Sequence, residues 1–251
     1  MDAASLPPVS PAFPSRLALI GAMEEEVAEF LAHAAVSRTI ERPHYKVHEA
    51  ELFGVPVVIV KCGVGKVFAA LITQYLIDHY SLTGVISTGV AGGLSDQLSI
   101  GDVVVSRDCI HHDMDVRALG FARGHIPFTD FRIFWGDEAL LARALSTRLE
   151  SGPDGKQHRV AAGRILTGDQ FISGARHETH GHLTEELEGD AVDMESAAIA
   201  QVCFVNEVPF LSVRTLSDKA DGTAHVDFNA FLPEVVRNSF GVIKGIVDKA
   251  P

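Results

Sequence analysis

The stretch VPFLSVRTLSD, residues 208–218, combines the two features that decide the fold of this chain, a buried apolar run and an acidic end. Its apolar residues fit a strand that is covered on both faces, because such strands are continuously hydrophobic. The stretch then ends at Asp218. In one interpretation this aspartate caps a following helix. In the other it faces a cleft, where partial burial makes it a proton donor.

Short apolar runs of this kind alternate with helical patterns along the whole chain. Strands are predicted at 17–21, 55–63, 83–93, 102–110, 163–169 and 208–218, and helices at 24–35, 66–80, 137–150, 193–208 and 227–248. The alternation predicts an α/β fold in which a mainly parallel, twisted mixed β-sheet is flanked by helices. We expect a single domain at 17–251, preceded by a flexible, proline-rich tail at 1–16.

Composition restricts the partners of this chain. It carries 21 basic and 33 acidic residues, a net charge of −12, which disfavours nucleic acid or an anionic membrane as partner and favours a small ligand. No apolar run approaches the roughly 20 residues that span a bilayer, and the N-terminus lacks the basic start of a secretory signal. The three cysteines lie far apart in apolar runs, which predicts reduced core residues of a cytoplasmic protein.

Glycines and acids follow several of the predicted strands. The segments are GAMEEE, CGVGK, TGVAGG, TGDQF and RTLSD. Each is a weak signal alone, since GVGK lacks the spacing of a phosphate-binding loop and TGVAGG is not a GxGxxG motif. In parallel sheets, however, ligands bind beyond the carboxyl ends of the strands. Together the segments therefore predict a ligand cleft at that edge.

Two acidic clusters are candidates for the chemistry of that cleft. In GAMEEEV, residues 21–27, acids in a first helical turn are favourable in themselves, but successive residues turn by about 100°, so one of the three can point inward. In DMES, residues 193–196, the acids either cap a helix or provide a carboxylate that accepts hydrogen bonds from the vicinal hydroxyls of a ribose. Arg214 lies in a buried strand and needs a carboxylate partner, for which Glu195 is the candidate.

Histidines raise the question of a metal. His177, His180 and His182 are spaced like metal ligands, and His111 and His112 with the neighbouring Asp113 follow a strand. The polar loop around the first group, with no adjacent cysteine, argues against zinc. A structural role near the cleft is the better interpretation of the second group. We therefore predict no metal.

Seven motifs occur in one order over residues 17–248: GAMEEEV, CGVGKV, STGVAGGL, GDVVVS followed by HHDMDV, TGDQFI, VDMESAAIAQVC and VRTLSDKAD. Together they resemble the 5′-methylthioadenosine/S-adenosylhomocysteine nucleosidases of the nucleoside phosphorylase family. The resemblance implies hydrolysis of the N-glycosidic bond of a 5′-thioadenosine, with adenine released and no cofactor required. It also implies a place in methionine salvage.

The resemblance implies a role for individual residues. Asp218 matches the general acid that protonates adenine N7, and Glu26 matches the residue that positions and deprotonates the attacking water. Glu195 matches the carboxylate that holds the ribose hydroxyls, with the backbone of Met194 beside it. Arg214 matches the arginine that orients this glutamate.

The remaining site residues would surround the base and the 5′ substituent. Phe171 should stack on the purine, the backbone of Ile172 should bind its Watson–Crick edge, and Ser217 completes the purine site. In the family a second subunit completes an apolar 5′-alkylthio pocket, which implies a homodimer. The matching residues are Met23, Val64, Val116, Leu119, Ile126, Pro127 and Phe228.

Alternatives remain for the nucleophile, the substrate and the class of protein. A purine nucleoside phosphorylase needs arginines around phosphate, and GAMEEEV and STGVAGG contain none, so water is favoured. The runner-up substrate is an aminofutalosine-type nucleoside, and a non-catalytic nucleoside-binding protein is the alternative from another class. Two positions depart from the family pattern: Val90 stands where a serine is frequent near the acid, and Leu119 where an aromatic residue is frequent.

Overall fold

The computed structural model describes residues 16–151, 155–172, 180–219 and 224–248, without the side chains of 224–235. The predicted tail at 1–16 therefore lies outside the described residues except for Arg16. This residue packs on the domain: its carbonyl accepts the N–H of Thr83 at 3.1 Å, and its guanidinium lies 5.5 Å from the ring centre of Tyr80.

The described residues form ten strands and six α-helices. The strands are β1 (Leu17–Gly21), β2 (Ala35–Glu41), β3 (Lys46–Leu52), β4 (Val55–Lys61), β5 (Gly84–Gly93), β6 (Val103–His111), β7 (Phe134–Trp135), β8 (Val160–Thr167), β9 (Ala191–Asp193) and β10 (Phe210–Asp218). The helices are α1 (Glu24–His33), α2 (Lys66–His79), α3 (Glu138–Leu145), α4 (His182–Glu185), α5 (Ser196–Val205) and α6 (Ala224–Val247), with a 3₁₀ turn at Arg117–Leu119.

All ten strands belong to one mixed sheet, which confirms the predicted fold class. Its order is β10-β6-β8-β9-β5-β1-β4-β3-β2, with β7 paired to β6. Parallel ladders join β1 to β4 and β5, β5 to β10, β6 to β8, and β8 to β9. Because β5 pairs with both β9 and β10, the strands β5, β10, β6, β8 and β9 form a closed ring. Beyond β1 and its parallel neighbour β4, the strands β3 and β2 extend the sheet in antiparallel pairing.

Helices cover both faces of the sheet, as the apolar strands require. On one face α2 and α5 pack through residues such as Ile72 and Ala198. On the other face α1, α3 and α6 pack through residues such as Phe30 and Ile243. The three cysteines are free and buried in the first of these layers, as predicted. Among the described residues, the helices are all too short or too polar to cross a bilayer.

Several element boundaries differ from the sequence prediction. The predicted helix 24–35 ends at His33, and the next residues form the unpredicted hairpin of β2 and β3. β2 is almost fully exposed, so it lacks the apolar alternation that reveals a strand. The predicted helix 193–208 begins only at Ser196, because the preceding residues pair with β5 and β8 as strand β9.

Candidate active site

A cavity opens at the carboxyl ends of β1, β5, β9 and β10, where the strand-end motifs predict it. Its empty space, including the open mouth, is about 740 Å³. The lining residues are Ala22, Met23, Glu26, Val64, Val90, Ala91, Gly92, Gln170, Phe171, Ile172, Val192, Asp193, Met194, Glu195, Ser217 and Asp218. The predicted acids Glu26, Glu195 and Asp218 thus share one cavity.

Glu26 is the one acid of its cluster that points inward, since Glu24 and Glu25 are exposed. It occupies the third position of α1, and its Oε2 accepts the N–H groups of Ala22 at 2.7 Å and Met23 at 3.0 Å. Its Oε1 accepts the N–H of Val90 at 3.0 Å. Burial raises the pKa of Glu26, and Arg214 with the three N–H groups offsets part of that rise. The carboxyl group is therefore fixed in position and more basic than an ordinary glutamate.

Glu195 stands at the start of α5, and the chain folds a glycine loop against it. Its Oε1 accepts the N–H of Gly65 at 2.9 Å. Gly65 has a φ of +97°, a conformation that favours glycine. Burial and the neighbouring carboxylate of Asp193 raise the pKa of Glu195, against the lowering effects of Arg214 and the Gly65 N–H.

Arg214 pairs with the predicted Glu195 at the limit of ion-pair distance, and it has a closer partner, Asp193, that the sequence did not predict. Arg214 Nε donates to Asp193 Oδ2 at 2.8 Å and Nη2 donates to Ser87 Oγ at 2.9 Å, whereas Nη2 lies 4.0 Å from Glu195 Oε2. The guanidinium is almost completely buried, so a close carboxylate partner is required. Arg214 therefore acts on Glu195 mainly through charge and through Asp193.

Asp193 is a site residue that sequence reasoning left without a role. Its carboxylate accepts the Thr167 hydroxyl at 2.6 Å and the backbone N–H of Ser196 at 3.2 Å. It therefore caps α5 and anchors Arg214 at once, which fits the capping interpretation for the first acid of DMES. The available signal was the spacing of an acid three residues before the helix.

Asp218 lies at the end of β10, where the register against β5 shifts between Leu216 and Asp218. Such an irregularity turns a side chain out of strict alternation, and both Ser217 and Asp218 are buried. Ser217 Oγ donates to Asp218 Oδ2 at 2.9 Å. Lys219, the next residue, donates to the carbonyl of Leu98. Val90 lines the cavity. Its side chain has no polar group, and its backbone N–H donates to Glu26.

The predicted purine and ribose residues also reach the cavity. Phe171 lines it, and 54% of the surface of this residue is exposed. Ile172 also lines the cavity, and its side chain belongs to a buried apolar cluster. Met194 lines the cavity beside Glu195.

The predicted 5′-alkylthio residues divide into three groups. Met23 and Val64 line the cavity. The residues of the second group do not belong to the described lining of the cavity. One of them, Leu119, has an exposed side chain. The members of this second group are Val116, Leu119, Ile126 and Pro127. The third is Phe228, whose side chain lies outside the described residues.

The histidines serve the structure around the cavity. His111 Nε2 bonds to Gln201 Oε1 at 2.9 Å, and burial lowers the pKa of His112 to about 4, so its ring is neutral. His177 lies outside the described residues. Within the described ranges, no three histidine, cysteine or acidic side chains are arranged to hold a metal ion.

The arrangement suits acid–base chemistry on a polar, uncharged or cationic molecule. Among the described lining residues are four acids and no arginine or lysine. Arg214, the cation whose charge acts on Glu26 and Glu195, is already paired with Asp193. Carboxyl groups in such a partly buried site can donate a proton, accept one and stabilise positive charge.

Comparison with known proteins identifies the family. Residues 16–248 match the phosphorylase superfamily. The 5′-methylthioadenosine/S-adenosylhomocysteine nucleosidase of Bacillus subtilis (strain 168) is 37% identical over 236 residues, or 93% of this chain and 99% of the relative. The nucleosidase of the same name from Neisseria meningitidis, solved with methylthio-immucillin-A, is 34% identical, with a TM-score of 0.84 over 93% of this chain and 99% of that one.

A second kind of enzyme shares the fold at lower identity. The futalosine hydrolase of Helicobacter pylori strain 26695 is 29% identical, with a TM-score of 0.83 over 94% of this chain and 98% of that chain. Within the superfamily, the Bacillus subtilis nucleosidase identifies the family of this chain, because the two are 37% identical over 93% of this chain. The chain belongs to the phosphorylase superfamily and, within it, to the family of the 5′-methylthioadenosine/S-adenosylhomocysteine nucleosidases.

Proposed function

We propose that the protein hydrolyses the N-glycosidic bond of 5′-methylthioadenosine and S-adenosylhomocysteine, releasing adenine and the 5-thioribose product. The observation that carries the proposal is the meeting of Glu26, Glu195 and Asp218, from three distant parts of the chain, in one cavity. The names of the relatives in its family support the same substrates.

The reaction begins with proton donation to the base. Asp218, held by the Ser217 hydroxyl, protonates N7 of adenine, so that the base leaves as a neutral molecule. As the bond breaks, positive charge develops on the ribosyl ring. The surrounding carboxylates stabilise that charge because they are fixed in advance in a partly buried site. General acid assistance of this kind is typically worth about 10² to 10⁴ in rate.

Glu26 and Glu195 act on the sugar. Glu26, locked by three backbone N–H groups, positions water and takes its proton as the oxygen attacks C1′. Glu195 accepts hydrogen bonds from the ribose hydroxyls, with the backbone of Met194 beside it. Arg214, which is itself bonded to Asp193, offsets part of the rise that burial causes in the pKa of Glu26 and of Glu195.

The remaining pocket determines which nucleoside binds. Phe171 stacks on the purine while Ile172 offers its backbone to the Watson–Crick edge, and Ser217 closes the purine site. The 5′ substituent lies against Met23 and Val64, whose side chains give that end of the cavity an apolar wall.

Water is the nucleophile rather than phosphate. Phosphoryl groups are bound by arginines and helix N-termini, whereas the described cavity wall presents four carboxylates. Those acids that are ionised oppose a phosphate dianion at the position that Glu26 controls, and the described lining residues include no arginine or lysine to offset the repulsion. A purine nucleoside phosphorylase reaction is therefore disfavoured.

We also propose that the active form is a homodimer. Val116, Leu119, Ile126 and Pro127 lie outside the cavity of their own chain, and Leu119 is 63% exposed. In the dimer this segment of one copy completes the 5′ pocket of the other. The three free, buried cysteines fit a reducing compartment, which supports a cytoplasmic location, and the substrates support a place in methionine salvage.

A futalosine-type nucleoside is the second candidate substrate, favoured by the structural similarity to the Helicobacter pylori enzyme. It has the same ribosyl–purine bond, so the same three acids serve. The candidates differ in the group at the 5′ position. Hydrolysis rates measured side by side on methylthioadenosine and aminofutalosine distinguish them, and we expect the higher kcat/KM for methylthioadenosine.

The decisive test is incubation of the protein with methylthioadenosine in phosphate-free buffer. Adenine and free methylthioribose should appear in equal amounts, as followed by chromatography. Adenine that appears only after phosphate is added would overturn the assignment as a hydrolase.

A further inference from the structure

A charged cluster at the rim of the cavity joins three loops. Lys66 Nζ lies 2.7 Å from each carboxylate oxygen of Asp113 and 3.9 Å from Asp169 Oδ2. The backbone N–H of Lys66 donates to Asp169 Oδ1 at 2.9 Å, and the N–H of Asp169 donates to Asp113 Oδ2 at 3.0 Å. Each of the three residues therefore contacts both of the others.

The three loops lead to different parts of the active site. Lys66 directly follows Gly65, whose N–H holds Glu195. Asp169 lies two residues before Phe171, which lines the cavity. The cluster therefore connects the loop that fixes the ribose-binding acid to the loop that carries the purine-binding residues.

The geometry shows that these loops are closely fitted. A Cβ on Gly65 would lie 3.1 Å from Asp169 Oδ1, so the two loops approach as closely as a glycine allows. The side chains of Lys66 and Asp113 are only 21% and 20% exposed. Burial raises the pKa of Asp113, but its bonds with Lys66 and the Asp169 N–H outweigh this and lower it, so the carboxylate is charged at neutral pH.

Two simpler explanations account for only part of the cluster. Capping of α2 requires a carboxylate at its first N–H groups, which Asp169 provides, but it requires neither the Lys66 ammonium nor Asp113. A surface ion pair would be mostly exposed and weakly coupled. Here the Lys66 ammonium binds the Asp113 carboxylate, which in turn accepts the backbone N–H of Asp169 in the opposite loop.

We propose that Lys66 is a positioning residue for the purine site. Through Asp113 it holds the loop that carries Phe171 and Ile172 at a fixed distance from the loop that holds Glu195. Lys66 itself does not touch the substrate. The inference rests on the proposed function, since it takes the cavity to bind a purine nucleoside.

The test compares Lys66→Met with the conservative Lys66→Arg. As a matched control, Lys46→Met removes a lysine whose 2.8 Å pair with Glu41 lies in the exposed edge hairpin. The measurements are the Kd for adenine by calorimetry, kcat and KM for methylthioadenosine, and the Tm. We expect Lys66→Met to raise the Kd for adenine and the KM about fivefold with kcat changed less than twofold. Lys66→Arg should restore both to within twofold of the wild type, and Lys46→Met should change neither.

Two results would overturn the proposal: an adenine Kd in Lys66→Met within twofold of the wild type, or a loss that Lys66→Arg fails to restore. Should Lys66→Met not fold, Asp113→Asn decides in its place, because it keeps the shape of the side chain and must raise the Kd for adenine similarly. In the double variant the two losses must not add, since both break the same contact.

The adenine measurement also separates this proposal from the proposed function. A wild-type protein that binds adenine without releasing it from methylthioadenosine would contradict the hydrolase assignment. The ratio of adenine affinities between Lys66→Met and wild type would still decide whether Lys66 positions the purine loop.

Discussion

Among single residues, Asp218 is the first on which the proposed hydrolysis depends, because it is the acid. Replacing it by asparagine keeps the size of the side chain and removes the transferable proton. We expect kcat for methylthioadenosine to fall at least about 10²-fold, the low end of general acid assistance, while adenine still binds. Adenine release followed by absorbance, with calorimetric binding, measures both. Retained turnover would exclude Asp218 as the acid, and a wild type that binds adenosine analogues without turnover would identify a binding protein instead.

Glu195 predicts a pH-dependent stability difference. Its pKa is raised by burial and Asp193, so the folded state holds a proton that the unfolded state loses above about pH 4.3. The free energy of unfolding of the ligand-free protein therefore falls as the pH rises from the pKa of Glu195 in the unfolded state to its raised pKa in the folded state. Glu195→Gln cannot ionise and escapes this loss. We expect its Tm to exceed that of the wild type by a few degrees at pH 8 and to match it near pH 4.5, by calorimetry.

The sign of the Tm difference between Glu195→Gln and the wild type at pH 8 shows whether burial or Arg214 has the larger effect on ionised Glu195. Each tenfold change in a proton-binding constant is about 1.4 kcal/mol, and 1 kcal/mol shifts the Tm of a domain of this size by about 2–4 °C. A Glu195→Gln variant with a lower Tm than the wild type at pH 8 would mean that Arg214 stabilises the ionised Glu195 more than burial destabilises it. Activity should be lost in either case, because the amide cannot replace the ribose-binding charge.

At the scale of elements, strand β5 shapes the site through Gly89. A Cβ there would lie 2.4 Å from Glu26 Oε1, so Gly89→Ala must displace the carboxyl that we propose positions water. A displacement of about 1 Å can cost 10²-fold in rate, and we expect kcat to fall to about that extent while adenine still binds. Kinetics of the purified variant measure it.

Gly54→Ala is the matched control for Gly89→Ala. Gly54 also has a positive φ, but a Cβ there meets nothing within 4 Å, and the residue lies in the turn between β3 and β4. It should lose some stability and keep its kcat. An equal loss of kcat in both variants would assign the effect of Gly89→Ala to the backbone rather than to Glu26.

Element patterns also explain how far the sequence could predict this protein. Buried strands such as β10 are visible because they are continuously apolar, and their acidic ends predicted the cavity. The β2–β3 hairpin was not predicted, because β2 is exposed and held by backbone bonds to β3. The sequence predicted the Glu195 partner of Arg214 but missed the closer partner, Asp193, because the two acids are equally plausible by spacing and only the path of the chain into α5 separates them.

At the scale of the whole molecule, exposed apolar side chains predict a dimer. Val67 and Leu71 on α2 and Val205 on α5 are mostly exposed, and the two helices pack side by side. Such a contiguous patch is typical of an interaction surface. We expect light scattering to give about twice the 27.0 kDa of one chain.

A charge placed in this patch should separate the subunits. We expect Val67→Glu to give a monomer with a raised KM for methylthioadenosine, because the 5′ pocket then lacks the segment from the second copy. Val36→Glu, on the exposed edge strand β2, is the control and should remain dimeric. A wild type that is monomeric at the concentration of the kinetic assay, with full activity, would contradict the proposed completion of the pocket.

The sharpest test of the proposed hydrolysis is turnover of methylthioadenosine in water enriched in ¹⁸O. Because Glu26 is proposed to direct water to C1′ while Asp218 releases the base, mass spectrometry should find one ¹⁸O atom in each methylthioribose formed when the product is analysed at once. The Glu26→Gln variant should form almost none of this product. A sugar product without the label, or one that carries phosphate at C1′, would contradict the account.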